Sequence, residues 1–195
     1  QILAVLADDA AAVVAPLGKM KDRSIALLDL VVQHGSKEEP LKGDWVIEQV
    51  EGLAKRFGRP KLICDPTMLA DQIVILRQRG YEVIELNRKG PMIAQYLYGA
   101  ISQRRIRFYP RAGEVRTFDG RDYALEDELH HLLYDQDTLK MSHFGEAHQR
   151  NRHYDDRCTA IGLALNSTEL MLEHTAQINA FHMAADANAR LSDGR

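Results

Sequence analysis

Three apolar runs follow one another at the start of the chain with no helical stretch between them, and the pattern then changes to helix and strand in alternation. "ILAVLADD", "AAVVAPLG" and "SIALLDLVV" read as successive strands. In "GDWVIEQVEGLAKRFG" the period switches, and Trp45, Val46, Val50, Leu53, Ala54 and Phe57 fall on one helical face between an expected N-cap at Asp44 and a stop at Gly58. "PKLICDP" then reads as a buried strand ended by Pro66, "MLADQIVILRQRG" as a helix and "YEVIEL" as a strand. A three-strand antiparallel opening followed by strand, helix and strand requires an α/β fold: one mixed sheet with helices on both faces.

Beyond that frame, "GPMIAQYLYGAISQRRIRFYP" starts a helix at Pro91 and runs into a basic, aromatic stretch. Residues 112–123 read as a hairpin or surface loop, "ALEDELHHLLYDQ" as amphipathic, and "KMSHFGEAHQRNRHYDD" as polar and loop-like. From Arg157 onward the pattern is helical, with Asn166, Ser167 and Glu169 offering capping chemistry between two helical pieces.

With 195 residues, 45% of them apolar, the chain suits one globular domain over residues 1–195. The net charge of -3 excludes a uniformly basic nucleic-acid binder, but leaves room for a basic face beside an acidic site. Cys64 and Cys158, each inside an apolar stretch, suit reduced core thiols in an intracellular protein. No apolar run approaches the length of a membrane span and the opening lacks a basic signal start, so a cytoplasmic location is expected, with no membrane partner.

The chemistry-bearing residues are carboxylates at strand and helix ends. Asp8 and Asp9 end the first run, Asp65 ends "KLICD", and Asp155 and Asp156 open the last helix. Sites in open α/β sheets gather at the carboxyl edge, where these acids converge if the first and fourth strands are neighbours. Such a cluster suits Mg²⁺ or Mn²⁺, and two such ions activate a water and stabilise the leaving oxygen of a phosphodiester. Blander readings stand beside this one. Asp65 before Pro66 also begins turns, and acids in a first helical turn complement the helix dipole. His153 reads as a ligand, a proton shuttle or, slightly favoured, an exposed loop residue, while His130, His131, His143 and His148 show no metal-ligand spacing strong enough to use. The run containing Arg104, Arg105, Arg107 and Arg111 suits either phosphate contact or a basic helix end.

Taken together, "LADDA", "LICDPTMLADQIVILRQRGYEVIEL", the helix leading to "RRIRFYP", and "HYDDRCTAIGLAL" resemble the RNase H-like nucleases, and within them the nuclease domain of phage large terminase subunits. The resemblance implies a two-metal (Mg²⁺ or Mn²⁺) DNA endonuclease that cleaves packaged viral double-stranded DNA. Its catalytic and metal-binding acids would be Asp8, Asp65 and Asp156, with Asp9, Asp155 and His153 as alternates. Lys89, Arg104, Arg105 and Arg107 would contact DNA. It further implies a terminase ATPase domain, a small terminase subunit and a capsid portal as partners, in the cytoplasm of a host cell. Two departures accompany it. Thr159 stands three residues after Asp156, where many relatives carry another acid, and a rival register would place Pro16 where the first-strand acid belongs.

The motor of such a subunit needs a phosphate loop ending in Gly-Lys-Ser or Gly-Lys-Thr. "LGKM" at Leu17–Met20 has Met20 for the hydroxyl residue and Val13 for the first glycine, so the chain is expected to be a C-terminal nuclease fragment without its ATPase half. Four alternatives remain: a junction resolvase, a transposase core, a non-catalytic portal-docking domain, and a signalling receiver. In the receiver, "ADDA", "CDPTM" and Lys89 would supply the acidic pair, the phospho-acceptor and the lysine.

Overall fold

In the computed structural model, described over residues 2–7, 11–20, 24–34, 42–67, 69–86, 91–116, 120–135, 140–143 and 156–167, the opening runs do pair as antiparallel strands. β1 (Ile2–Ala7) pairs with β2 (Ala11–Lys19) from Ile2 opposite Leu17 to Ala7 opposite Ala12. The third run is broken into β3 (Ile25–Leu27) and β4 (Val31–His34), which meet β2 end to end along one edge. Leu28 donates its N–H to the Pro16 carbonyl (3.0 Å), and Val31 lies opposite Val14, so Asp29 and Leu30 together face Ala15. That is a one-residue bulge, and it reverses which positions point inward: Ile25 and Leu27 before it, Leu30 and Val32 after it, all enter the same core. Pro16 has no N–H to offer to that edge, which is why the ladder gives way beside it.

α1 (Gly43–Phe57) crosses to β5 (Lys61–Cys64), which pairs with β1 in parallel, and α2 (Ala70–Gln78) crosses to β6 (Val83–Glu85), parallel to β5. The helix α1 begins two residues earlier than its sequence suggests. Trp45 donates its N–H to the Lys42 carbonyl (3.0 Å), so Lys42 takes the cap without a side-chain bond and Asp44 lies in the first turn. Gly58 does close it, with φ of 85°. α3 (Pro91–Ser102) leads into β7 (Ile106–Arg107), parallel to β3, and completes the order β6-β5-β1-β2-β3-β7, with β4 also on β2. This is the expected mixed sheet.

Residues 112–123 contain the expected hairpin, as β8 (Val115–Arg116) and β9 (Asp122–Tyr123). α4 (Leu125–His131) ends where β10 (Leu132–Asp135) begins, and β10 pairs with β11 (Lys140–His143). The start of "KMSHFGEA" is therefore a strand rather than loop, formed because a second hairpin supplies its backbone partners. The last helix, α5, spans residues 156–167. No described helix is long and apolar enough to cross a membrane.

Helices cover both faces of the sheet. Leu3, Val5, Val14, Leu62 and Cys64 pack on α1 and α2 through Val46, Val50, Leu53, Ile73 and Leu76. Ile2, Ala4, Val13, Ala15 and Ile63 pack on α3, α4 and α5 through Ile93, Leu97, Leu125, Ile161 and Leu165. At the α3–α5 contact, a Cβ on Gly162 would stand 2.6 Å from Ile93 Cγ2 and 2.9 Å from the Ile93 carbonyl oxygen, so glycine is what lets the two helices approach.

Candidate active site

Asp65 extends β5 by one residue: its N–H donates to the Val5 carbonyl (3.2 Å), and it is 0% exposed. It shares the parity of Ile63, which faces the α5 layer, and not that of Cys64, which faces α1 and α2. Thr67 donates its backbone N–H (2.9 Å) and hydroxyl (2.6 Å) to the same oxygen, Oδ1. Asp65 thus starts a turn, as its place before Pro66 suggested, and that role occupies one carboxylate oxygen. A turn-forming acid does not need complete burial, so the turn alone does not account for its position.

Asp156 is the first described residue of α5 and is 6% exposed. An acid that merely complemented the helix dipole would remain in water, because the favourable interaction is modest and a buried carboxylate loses its hydration. Two of the three expected acids are therefore buried carboxylates in the layer that contains α5. Their hard oxygen donors fit Mg²⁺ or Mn²⁺. Among the described residues no group of three histidine, cysteine, aspartate or glutamate side chains forms a metal cage. Asp8, Asp9, Asp155 and His153, which would supply the remaining donors, lie outside the described residues, as does Lys89. One step beyond the Val5–Cys64 pair, the position on β1 level with Asp65 is Leu6.

The cysteines are free and buried, as expected of core thiols. Burial pushes the Cys64 thiol up to about 12, and its side chain packs against α1 and α2, on the face away from Asp65.

The first turn of α5 carries a feature that the sequence reading missed. Arg157 and Glu128 are both fully buried and form an ion pair at 2.7 Å. Arg157 also donates from Nε to the Gly113 carbonyl (3.0 Å) and from Nη2 to the Tyr123 carbonyl (3.2 Å), and its guanidinium lies 5.3 Å from the Tyr123 ring centre. The second Glu128 oxygen accepts the Cys158 N–H at 2.9 Å. The signal was available: Glu128 sits inside the apolar stripe of Leu125, Leu129 and Leu132.

The basic residues stand elsewhere. Ile106 pairs with Ile25, which pairs with Lys19, at the amino-terminal end of the parallel strands, while Asp65 follows the carboxyl end of β5. On ideal strand spacings, Arg104, Arg105 and Arg107 are roughly 25–30 Å from Asp65. The structure does not bring them to the acids. Arg104 and Arg107 are exposed, whereas Arg105 is half-buried.

Against solved structures, the large terminase of a thermophilic bacteriophage, in complex with ATP-γ-S, superposes with a TM-score of 0.60 at 16% identity, over 85% of this chain and 39% of its own. The large terminase nuclease of the thermophilic phage G20c superposes with a TM-score of 0.57 at 15% identity, over 84% of this chain and 79% of its own. The fold is that of a large-terminase nuclease. The chain spans well under half the length of the first of these terminases, and at these identities the likeness is one of fold alone. No protein-family model and no curated protein matches the sequence.

The strand pairing also decides between readings of the first strand. Pro16 lies on β2 with β1 before it, so the register that placed Pro16 at the catalytic position is wrong. The receiver reading fails too. Its fold is a parallel sheet with a helix after the acidic pair, whereas β1 is followed by an antiparallel strand.

Proposed function

We propose that the chain is a divalent-metal-dependent DNA endonuclease of the terminase kind, forming one nuclease domain over residues 1–195 of a larger packaging subunit. The observation that carries this reading is the burial of Asp65 and Asp156 in one layer of a terminase-nuclease fold, one acid at a strand end and one at a helix start. Asp65 and Asp156 hold metal together with an acid from the first strand. Asp8 is preferred there because its spacing to Ala10 resembles the first-strand motif of terminase nucleases, with Asp9 as the alternate. Asp155 and His153 remain the alternates at the helix start. When bound, Mg²⁺ or Mn²⁺ supplies activation of a water and stabilisation of the leaving oxygen. The chain's own part is to fix carboxylates in a dry layer and to bind the duplex. Arg104, Arg105, Arg107 and Lys89 contact the backbone, with the arginines roughly eight base pairs from the scissile phosphate. A terminase ATPase domain, a small terminase subunit and a capsid portal are the partners that go with this role.

The second reading is a portal-docking domain with a dead site. One observation favours it: the β1 position level with Asp65 is leucine. Cleavage of supercoiled plasmid with Mn²⁺, Mg²⁺ or EDTA, beside Asp65→Ala and Asp156→Ala, separates the two. The nuclease reading predicts metal-dependent nicking and linearisation that both substitutions abolish. A folded chain that cuts with neither metal would favour docking.

A further inference from the structure

The Glu128–Arg157 pair lies immediately beside Asp156, and its geometry is more elaborate than stability alone requires. A buried ion pair is a weak stabiliser compared with apolar side chains of similar volume, because both ions lose their hydration. The α1–α2 layer shows that this sheet can be covered without one: among the described residues, no buried polar or charged side chain belongs to α1 or α2. What the pair adds is direction. Arg157 reaches the turn at Gly113, the strand β9 at Tyr123 and the helix α4 at Glu128. Glu128 in turn accepts the N–H of Cys158, the third described residue of α5, doing from another helix what an N-cap side chain ordinarily does. The acids at the start of α5 are then not needed to cap that N–H. Gly113 belongs to the same clamp. It has a φ of 63°, and a Cβ there would stand 2.8 Å from Leu30 and 3.2 Å from Arg157 Nε, so its carbonyl meets the guanidinium only because the position is glycine.

We propose that Glu128 and Arg157 are positioning residues, whose buried ion pair locks the first turn of α5 and so fixes where Asp156 presents its carboxylate to a divalent cation. This rests on the reading of Asp156 as a metal ligand. Supports of this kind, which touch a ligand's element and not the metal, commonly change metal affinity by 10–100-fold when removed.

The test is equilibrium titration of the metal-stripped chain with Mn²⁺, followed by loss of the free ion's electron paramagnetic resonance signal, which reads affinity as the midpoint of binding without any need for cleavage. The variants are Asp156→Ala, the double substitution Glu128→Leu with Arg157→Met, and Arg157→Lys. The native chain binds Mn²⁺ saturably, and Asp156→Ala loses that binding. The double variant removes the pair at similar volume, unfolds cooperatively, and needs about tenfold more Mn²⁺. Arg157→Lys keeps the charge without the guanidinium fork and falls between native and double variant. Plasmid cutting by the double variant and by Arg157→Lys recovers at saturating Mn²⁺, which a general loss of folding would not permit. A native midpoint in the folded double variant, with Asp156→Ala defective, overturns the positioning role and leaves the nuclease reading standing. If the double variant does not fold, a native midpoint in Arg157→Lys overturns the positioning role in the same way. A native midpoint in Asp156→Ala removes Asp156 as a ligand and the positioning role with it.

Discussion

The two faces of the sheet are covered in different ways. On the α1–α2 side the buried residues are apolar, and the ion pairs Lys61–Glu82, Arg77–Glu85 and Arg79–Glu51 lie at the exposed rim. On the α3–α5 side the fold buries Glu128, Asp156 and Arg157, and Asp65 shares the parity of that face. The charged groups that burial penalises most are thus gathered on one side, among the described residues. A fold selected only for stability would have no reason for that asymmetry, whereas a site that must hold carboxylates out of bulk water requires it.

The sharpest way to break the contrast is Arg157→Met alone, which leaves the Glu128 carboxylate buried without its cation. A loss of about 3–5 kcal/mol in urea unfolding is expected. A loss below about 1 kcal/mol would mean that this layer tolerates an unpaired charge and is wetter than its burial indicates. Next come two glycine substitutions on opposite faces. Gly162→Ala drives a Cβ into Ile93 and should lower stability by about 1–3 kcal/mol. Gly52→Ala, with nothing within 4 Å in the middle of α1, should raise it by about 0.5–1 kcal/mol. Equal effects would show that the α3–α5 contact at Gly162 is no tighter than the open surface at Gly52. The smallest change is expected from Arg79→Ala, whose partner Glu51 is also at the surface: about 0.5 kcal/mol or less, fading as salt is added.

The opening strands, the crossover helices and the buried acids Asp65 and Asp156 were legible because each follows from a local pattern: apolar runs, a change of period, an acid at an element's end. The bulge was not. "SIALLDLVV" is apolar almost throughout, so a slip of one residue at Asp29 leaves no trace in the pattern even though it reverses the inward positions. Lys140–His143 was missed because a hairpin strand takes its order from its partner, which here begins inside a helical pattern at Leu132. The Glu128–Arg157 pair joins residues far apart in sequence, and only the fold places them together. The basic run was read beside the acids because both suit a nuclease, but strand register puts it at the sheet's other end.

The central claim is that the polar face is a metal site. The most direct test is anomalous scattering from crystals of the chain soaked in Mn²⁺. The account predicts Mn²⁺ density in contact with the carboxylates of both Asp65 and Asp156. Density elsewhere only, or none beside these two residues at saturating Mn²⁺, would contradict it.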